Sequence, residues 1–187
     1  MTFLKNIKVF ILSVLCCLSA QMMQSQSISV GGGFEYNMSI DEVGYHLRAY
    51  YNIGEHICFG PEFTTFGDKR FVEDGVDIDE SSVEYNLNGH YIFELSHKIG
   101  TYPIIGLNHT RIKEEYIEPT TNEPVQKNIN TWAANLGWGT HYNLKNASIF
   151  FEYHTSISTP GDHILSLGAF FNFGNSGEED THEVSFN

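Results

Sequence analysis

From about residue 27 onward, apolar and polar residues alternate in short stretches, with turn-forming residues between them. In 147–157, Ala147, Ile149, Phe151, Tyr153 and Ile157 fall on one parity, and Ser148, Glu152, His154 and Ser156 on the other. In 163–173, Leu165, Leu167, Ala169, Phe171 and Phe173 alternate with Ser166, Gly168 and Asn172. In 42–53, Val43, Tyr45, Leu47, Ala49, Tyr51 and Ile53 alternate with His46, Arg48 and Asn52. A period of two predicts strands, because successive side chains point to opposite faces. The pattern predicts eight of them: 27–38, 42–53, 56–66, 82–94, 99–112, 129–143, 147–157 and 163–173. Tight turns fall at Gly54-Glu55, 95–98 and 144–146, and longer polar loops at 39–41, 67–81, 113–128 and 158–162. Pro61 and Pro103 lie within strands, where each removes a ladder donor. They predict a bulge at each position, or a late start to the fifth strand.

Eight strands joined by alternating short and long connections predict an all-β fold, an eight-stranded antiparallel up-and-down transmembrane β-barrel. A soluble exported barrel would alternate too, with its apolar face lining a ligand cavity. The polar parity here is rich in Gly, Ser, Asn and Glu and poor in the Lys that covers water-exposed sheets. Aromatics also gather near strand ends: Trp132 and Tyr142 on either side of Trp138, and Tyr51, Tyr91, Phe93, Phe171 and Phe173. Rings so placed form girdles at lipid–water interfaces. These features favour the membrane version, with both termini periplasmic.

An export signal fits that location. Lys5 and Lys8 precede the apolar run Val9–Leu18, and Ala20 offers a cleavage point, with a later cut near Ser25 as the alternative. The run is too short for a stable spanning helix. The organisation read from the sequence is therefore a signal segment at 1–20, a barrel at 27–173 and an acidic tail at 174–187. Removal of the signal takes Cys16 and Cys17 with it, so Cys58 has no disulfide partner. The chain carries 23 Asp and Glu against 10 Lys and Arg, which argues against a nucleic-acid partner. Nothing in the sequence argues for a metal or cofactor.

The closing stretch His163-Ile164-Leu165-Ser166-Leu167-Gly168-Ala169-Phe170-Phe171-Asn172-Phe173, with Phe151-Glu152-Tyr153 before it, resembles the family of small eight-stranded outer-membrane β-barrel domains, also grouped as porin-family barrels. The resemblance implies a bacterial outer-membrane location among outer-membrane lipids. It also implies that the last aromatic of the last strand, Phe173, is read by the outer-membrane insertion machinery. The chain departs from the family in carrying residues beyond that aromatic.

With the polar parity inside, the lumen receives Glu35, His46, Arg48, Glu62, Glu84, Asn88, His90, Glu152 and His154. Reflection about the predicted turns places Arg48 beside Glu62, and Glu62 near Glu84, at one level. Eight strands leave a lumen that side chains fill, so a buried polar network is favoured over an ion path. Several Glu share one clear Arg, which leaves negative charge to be balanced by protons or by charged histidines.

His154-Thr155-Ser156 resembles the His-x-Ser element of outer-membrane lipid A deacylases, which implies His154 as base and Ser156 as nucleophile, with Asp162 to orient the base. Ile157 stands where that family carries Asn, and the parity turns both side chains into the lumen. The stretch Asp74-Gly75-Val76-Asp77-Ile78-Asp79 lacks the ligand order of a calcium loop. Lys69, Arg70, Arg111 and Lys113 lie near the predicted outer rim, within reach of lipid phosphates. The sequence therefore favours a non-enzymatic barrel with a structural or surface-presenting role. The rivals are a surface adhesin acting through 67–81 and 113–128, the deacylase, and the soluble ligand-binding barrel.

Overall fold

The computed structural model describes residues 26–145, 147–158 and 161–174. The predicted signal segment and all but the first residue of the predicted tail lie outside these. Among the described residues, ten strands form one antiparallel sheet: β1 (Gln26–Asn37), β2 (Glu42–Ile53), β3 (Ile57–Phe66), β4 (Lys69–Glu73), β5 (Val76–Tyr91), β6 (Phe93–Ser96), β7 (Ile99–Ile117), β8 (Pro124–Asn143), β9 (Ala147–Ile157) and β10 (Asp162–Gly174). β1 pairs with both β2 and β10, and the sheet closes on itself through β5 and β7. β4 continues the line of β3, and β6 that of β5, so the wall of the barrel has eight staves. Ser27 pairs with Gly174, which brings the two described ends together at one rim, hereafter the terminal rim.

The two parities part cleanly. Ile28, Phe34, Leu47, Leu87, Leu107, Leu136, Phe151 and Leu167 are among the apolar side chains exposed on the outside. Glu35, His46, Arg48, Glu62, Asn108, Asn135, Glu152 and Ser166 are among the polar ones buried within. This is the inside-out pattern that lipid requires, and closure leaves no unpaired edge in the hydrocarbon. It overturns the soluble alternative, whose apolar face would line the cavity.

The outward band has aromatic borders. Toward the distal rim, Phe34 packs on Tyr45, and Phe63, Tyr85, His109 and Trp132 follow one another across four neighbouring staves. Toward the terminal rim lie the T-shaped pair Tyr51–Phe59 and the pair Tyr91–Phe93, with Tyr142, Phe171 and Phe173 exposed on the same outer surface. Trp138 lies between the two borders, and its indole N–H donates to Thr101 Oγ1 at 2.6 Å. Trp132 and Tyr142 are ten residues apart on β8. At about 3.3 Å per residue and a tilt of about 40°, that spans about 25 Å, the height of an outer-membrane apolar band.

The predicted polar loops 67–81 and 113–128 are largely strand. β4 pairs with the start of β5, β5 with the upper part of β7, and β7 with the start of β8 as far as Ile117↔Pro124. Four strands thus rise past the distal aromatic border as a wall. Only 67–68, 74–75 and 118–123 remain as connections on it. The acidic stretch 74–79 begins as a hairpin turn, with Asp74 and Gly75 both at positive φ (51° and 81°). That is the conformation a type I′ turn requires and an Asp-Gly pair supplies.

The prolines behave otherwise than predicted. The β2–β3 ladder lapses opposite Gly60-Pro61, between Arg48↔Glu62 and Tyr51↔Phe59, and the register is the same on both sides. The ladder to β7 similarly lapses between His90↔Ile104 and Phe93↔Thr101, where Pro103 falls, again without slippage, and β7 begins at Ile99 with no delay. A missing donor costs one rung and does not require an extra residue. Extra residues occur elsewhere: at Glu94/Ser96, and between Thr65↔Val83 and Lys69↔Glu80, where the β3–β4 side has one more residue than β5.

Candidate functional site: the lumen and the distal wall

The lumen is filled in layers. Nearest the terminal rim is a cavity of about 270 Å³ that reaches Ser27, Asn52, Glu55, Glu94 and Lys145. Its inner end is an aromatic layer. His90 lies between Tyr50 and Tyr102, with ring centroids 4.8 and 4.7 Å apart, and Phe150 packs on Phe170. Cys58 is buried with Tyr50, Phe150 and Phe170.

Above this layer lies the charged centre. Arg48 is fully buried, and its guanidinium sits 4.4 Å from the centroid of Phe150. Nη1 donates to Glu152 Oε2 at 2.7 Å and Nη2 to Glu62 Oε1 at 2.9 Å, and Glu35 Oε1 stands 3.7 Å away. Tyr102 donates its hydroxyl to Glu152 Oε1, and Asn88 donates to Glu62 Oε2. Ser166 donates to Glu35 Oε1. Charge-assisted bonds of this kind are about twice as strong as neutral ones, and here they engage side chains from seven of the eight staves.

The next layer is amide and hydroxyl. Asn108 donates to Glu84 Oε2 and Asn86 Oδ1; Asn135 donates to Asn86 and Asn88; Ser156 donates to Asn135. Of the residues predicted for the lumen, Arg48 is paired directly with Glu62. Glu84 is not at their level. It faces Thr64, while Glu62 faces Asn86, so Glu84 belongs to the amide layer. Reflection misplaced it because the hairpin turns at Asp74-Gly75 and carries the extra residue near 66–68. The unpredicted partners are Glu152 and Glu35, which reach Arg48 from β9 and β1.

The predicted base–nucleophile pair is not assembled. His154 and Ser156 are both buried in the lumen; the Ser156 hydroxyl is committed to Asn135, and both His154 nitrogens lack a hydrogen-bond partner. Asp162 pairs with Ser156 only along the backbone ladder.

The wall carries its own cross-strand ladders. Lys69, Glu80, Glu114 and Lys127 stand in one row across β4, β5, β7 and β8, and Phe71, Ile78, Tyr116 and Val125 form the next. On the other face Arg70 grips Asp79 through two bonds of 2.7 and 2.8 Å. Those bonds hold the Asp79 carboxyl below its ordinary range and raise Arg70. Glu80 is shifted up by burial first, then by the carboxylates of Glu114 and Glu42. Past Trp132 and His109, the outward face changes from apolar to Arg111, Lys113, Glu115, Asn128 and Asn130.

No family model matches the chain, and no curated protein matches it. Solved structures do. A major outer membrane protein of Thermus thermophilus superposes with a TM-score of 0.60 at 15% identity, covering 80% of this chain and 100% of that one. The N-terminal β-barrel domain of Pseudomonas aeruginosa OprF gives 0.57 at 15%, over 79% and 97%. Ail, the attachment invasion locus protein of Yersinia pestis, gives 0.56 at 18%, over 79% and 97%. The chain has the fold of the small outer-membrane β-barrels. At these identities the likeness is one of fold, and function has to be argued from the lumen and the wall.

Proposed function

We propose that this protein is an integral outer-membrane barrel whose filled lumen serves as a rigid plug and whose wall is presented at the cell surface. The observation that carries this reading is the four-stranded wall. A structure needed only to span the bilayer would turn at the distal aromatic border. Instead β7 runs eight residues past His109, about 20 Å further at the rise and tilt used above. The change of the outward face from apolar to charged at that border supports a wall standing in water. Both described ends then lie at the periplasmic rim, with the predicted signal segment preceding β1 and Phe173 exposed where the insertion machinery would meet it.

The filled lumen argues against conduction. The layers from Phe150 to Asn135 join opposite staves, and a barrel of this size has little interior beyond its side chains. Binding is the more economical role for the wall. Ail has been solved with the heparin analogue sucrose octasulfate. Here the segments 67–81 and 111–128 hold Lys69, Arg70, Arg111, Lys113 and Lys127 against ten acidic residues, which favours a partner carrying basic groups over a sulfated one.

An epitope inserted between Asp74 and Gly75 tests the orientation. It is expected to be labelled on intact cells. Labelling only after permeabilisation would overturn the reading. Replacing 70–79 and 113–128 with short turns is expected to leave insertion and heat-modifiable migration intact while removing any surface binding.

A further inference from the structure

We propose that the charged centre of the lumen is a binding site for one divalent first-row metal ion, held by Glu35, His46 and Glu62. Each of the three contributes a ligand atom, and these atoms lie within 4.8 Å of one another. They come from three neighbouring staves, β1, β2 and β3, and their side chains are almost wholly excluded from solvent.

The geometry of the pair Glu35–His46 is that of two ligands. His46 Nδ1 stands 3.3 Å from Glu35 Oε1, yet no hydrogen bond links them. Two atoms each about 2.0–2.1 Å from a tetrahedral ion are about 3.4 Å apart, with both lone pairs directed at the ion. Both nitrogens of His46, and Glu35 Oε2, are buried without any hydrogen-bond partner. Leaving such groups unsatisfied costs about 1–3 kcal/mol each, more when charged, so a buried cluster of them needs an occupant.

Charge points the same way. Glu35, Glu62 and Glu152 surround one guanidinium, that of Arg48. Three carboxylates against one cation leave two negative charges, which one divalent ion neutralises. The existing bonds from Ser166 to Glu35 and from Asn88 to Glu62 orient the ligands without using all their lone pairs, since each carboxylate oxygen accepts two bonds. One imidazole nitrogen with two carboxylate oxygens suits zinc or a neighbouring transition metal better than calcium, which takes oxygen alone.

The test uses the full mature barrel refolded in detergent with zinc, and in parallel with cobalt. Excess metal is removed and the bound metal counted per chain. Refolding in the presence of metal matters because the site is enclosed. One zinc per heat-modifiable barrel is expected, with a cobalt absorption band of low-coordinate N/O type. His46→Gln and Glu35→Gln are expected to weaken binding at least about 10–100-fold, while His97→Gln at the exposed turn keeps it. A folded wild type without stoichiometric metal would overturn the proposal, and protons would then balance the carboxylates. Equal loading of wild type and His46→Gln would also overturn it, by assigning the metal to the acidic wall. If neither variant folds, the wild-type stoichiometry and the cobalt spectrum decide alone.

Discussion

Ile105 and Ile117 are the same residue type on the same face of β7, both exposed (66% and 51%), yet they should respond oppositely to charge. Ile105 pairs with Leu136, which lies near the middle of the span from Trp132 to Tyr142. Ile117 is twelve residues further along β7. At about 3.3 Å per residue and a tilt of about 40°, it stands roughly 30 Å above Ile105, clear of a band about 25 Å tall. Arginine at the bilayer midplane of such a barrel costs about 2–4 kcal/mol, and near or beyond the interface about 0–1. Ile105→Arg should therefore shift the unfolding equilibrium by roughly 30- to 1000-fold, and Ile117→Arg by less than roughly tenfold. The assay is equilibrium unfolding in urea from phospholipid vesicles, read by the fluorescence of Trp132 and Trp138, with Ile→Ala at each position to subtract lost contacts. The ordering is what the membrane assignment stands on. Equal costs at the two sites, or a larger cost at Ile117, would refute the placement of the apolar band.

Replacing Arg48 with Met should destabilise the barrel by about 3–5 kcal/mol, because Glu62 and Glu152 would keep their burial and lose their cation; a urea midpoint close to wild type would show that the carboxylates are already neutral. Gly75→Ala should cost about 1–2 kcal/mol at a φ of 81°, read as faster amide exchange in β4 and the start of β5 with the barrel staves unaffected. Glu80 faces Glu114 directly, and its folded-state pKa is raised above the unfolded one, so the folded wall binds its proton more tightly. Wall stability should then fall as pH rises from the ordinary carboxyl range through the raised value. Glu80→Gln should remove that slope in amide exchange of 76–82, and a slope that survives would assign the effect to other groups.

The alternation that revealed the barrel held wherever one face met lipid and the other met the lumen, as in β2, β9 and β10. It was least informative where both faces meet water. In the wall most outward positions turn polar, Val72 and Ile117 excepted, and the inward ones mix Phe71, Ile78 and Tyr116 with Lys69, Glu80 and Glu114. No lipid enforces a period of two there, so strand read as polar loop. One local signal was available. Asp74-Gly75 between Val72 and Val76 is a hairpin turn in sequence terms, and centring the hairpin on it extends the third and fourth staves outward. That turn also moves the register, though the additional residue between Phe66 and Lys69 has no signature beyond Gly67.

The lumen contacts divide by the distance that the prediction had to cross. Arg48 and Glu62 are neighbours through a short turn at Gly54, where reflection needs only the turn centre. Glu152 is on β9 and reaches Arg48 across β1 and β10, so its position depends on the stagger accumulated over several strand pairs. Each pair adds its own offset, and no single turn reports the sum. The same reasoning explains why a metal centre was not legible. Glu35, His46 and Glu62 stand in different registers, since Glu35 faces Gly44 and His46 faces Gly33. Their convergence comes from side-chain reach over glycines in a tilted wall. A Cβ at Gly33 would fall 2.1 Å from the Leu167 carbonyl oxygen, and one at Gly44 would fall 2.8 Å from the Phe66 ring. The space a side chain would take at these two glycines is filled by the neighbouring backbone and by Phe66, so the two strands carry their long polar groups at the positions opposite, Glu35 facing Gly44 and His46 facing Gly33. A polar parity interrupted by glycine thus marks where a narrow barrel holds its largest interior groups, though not which groups those groups will meet.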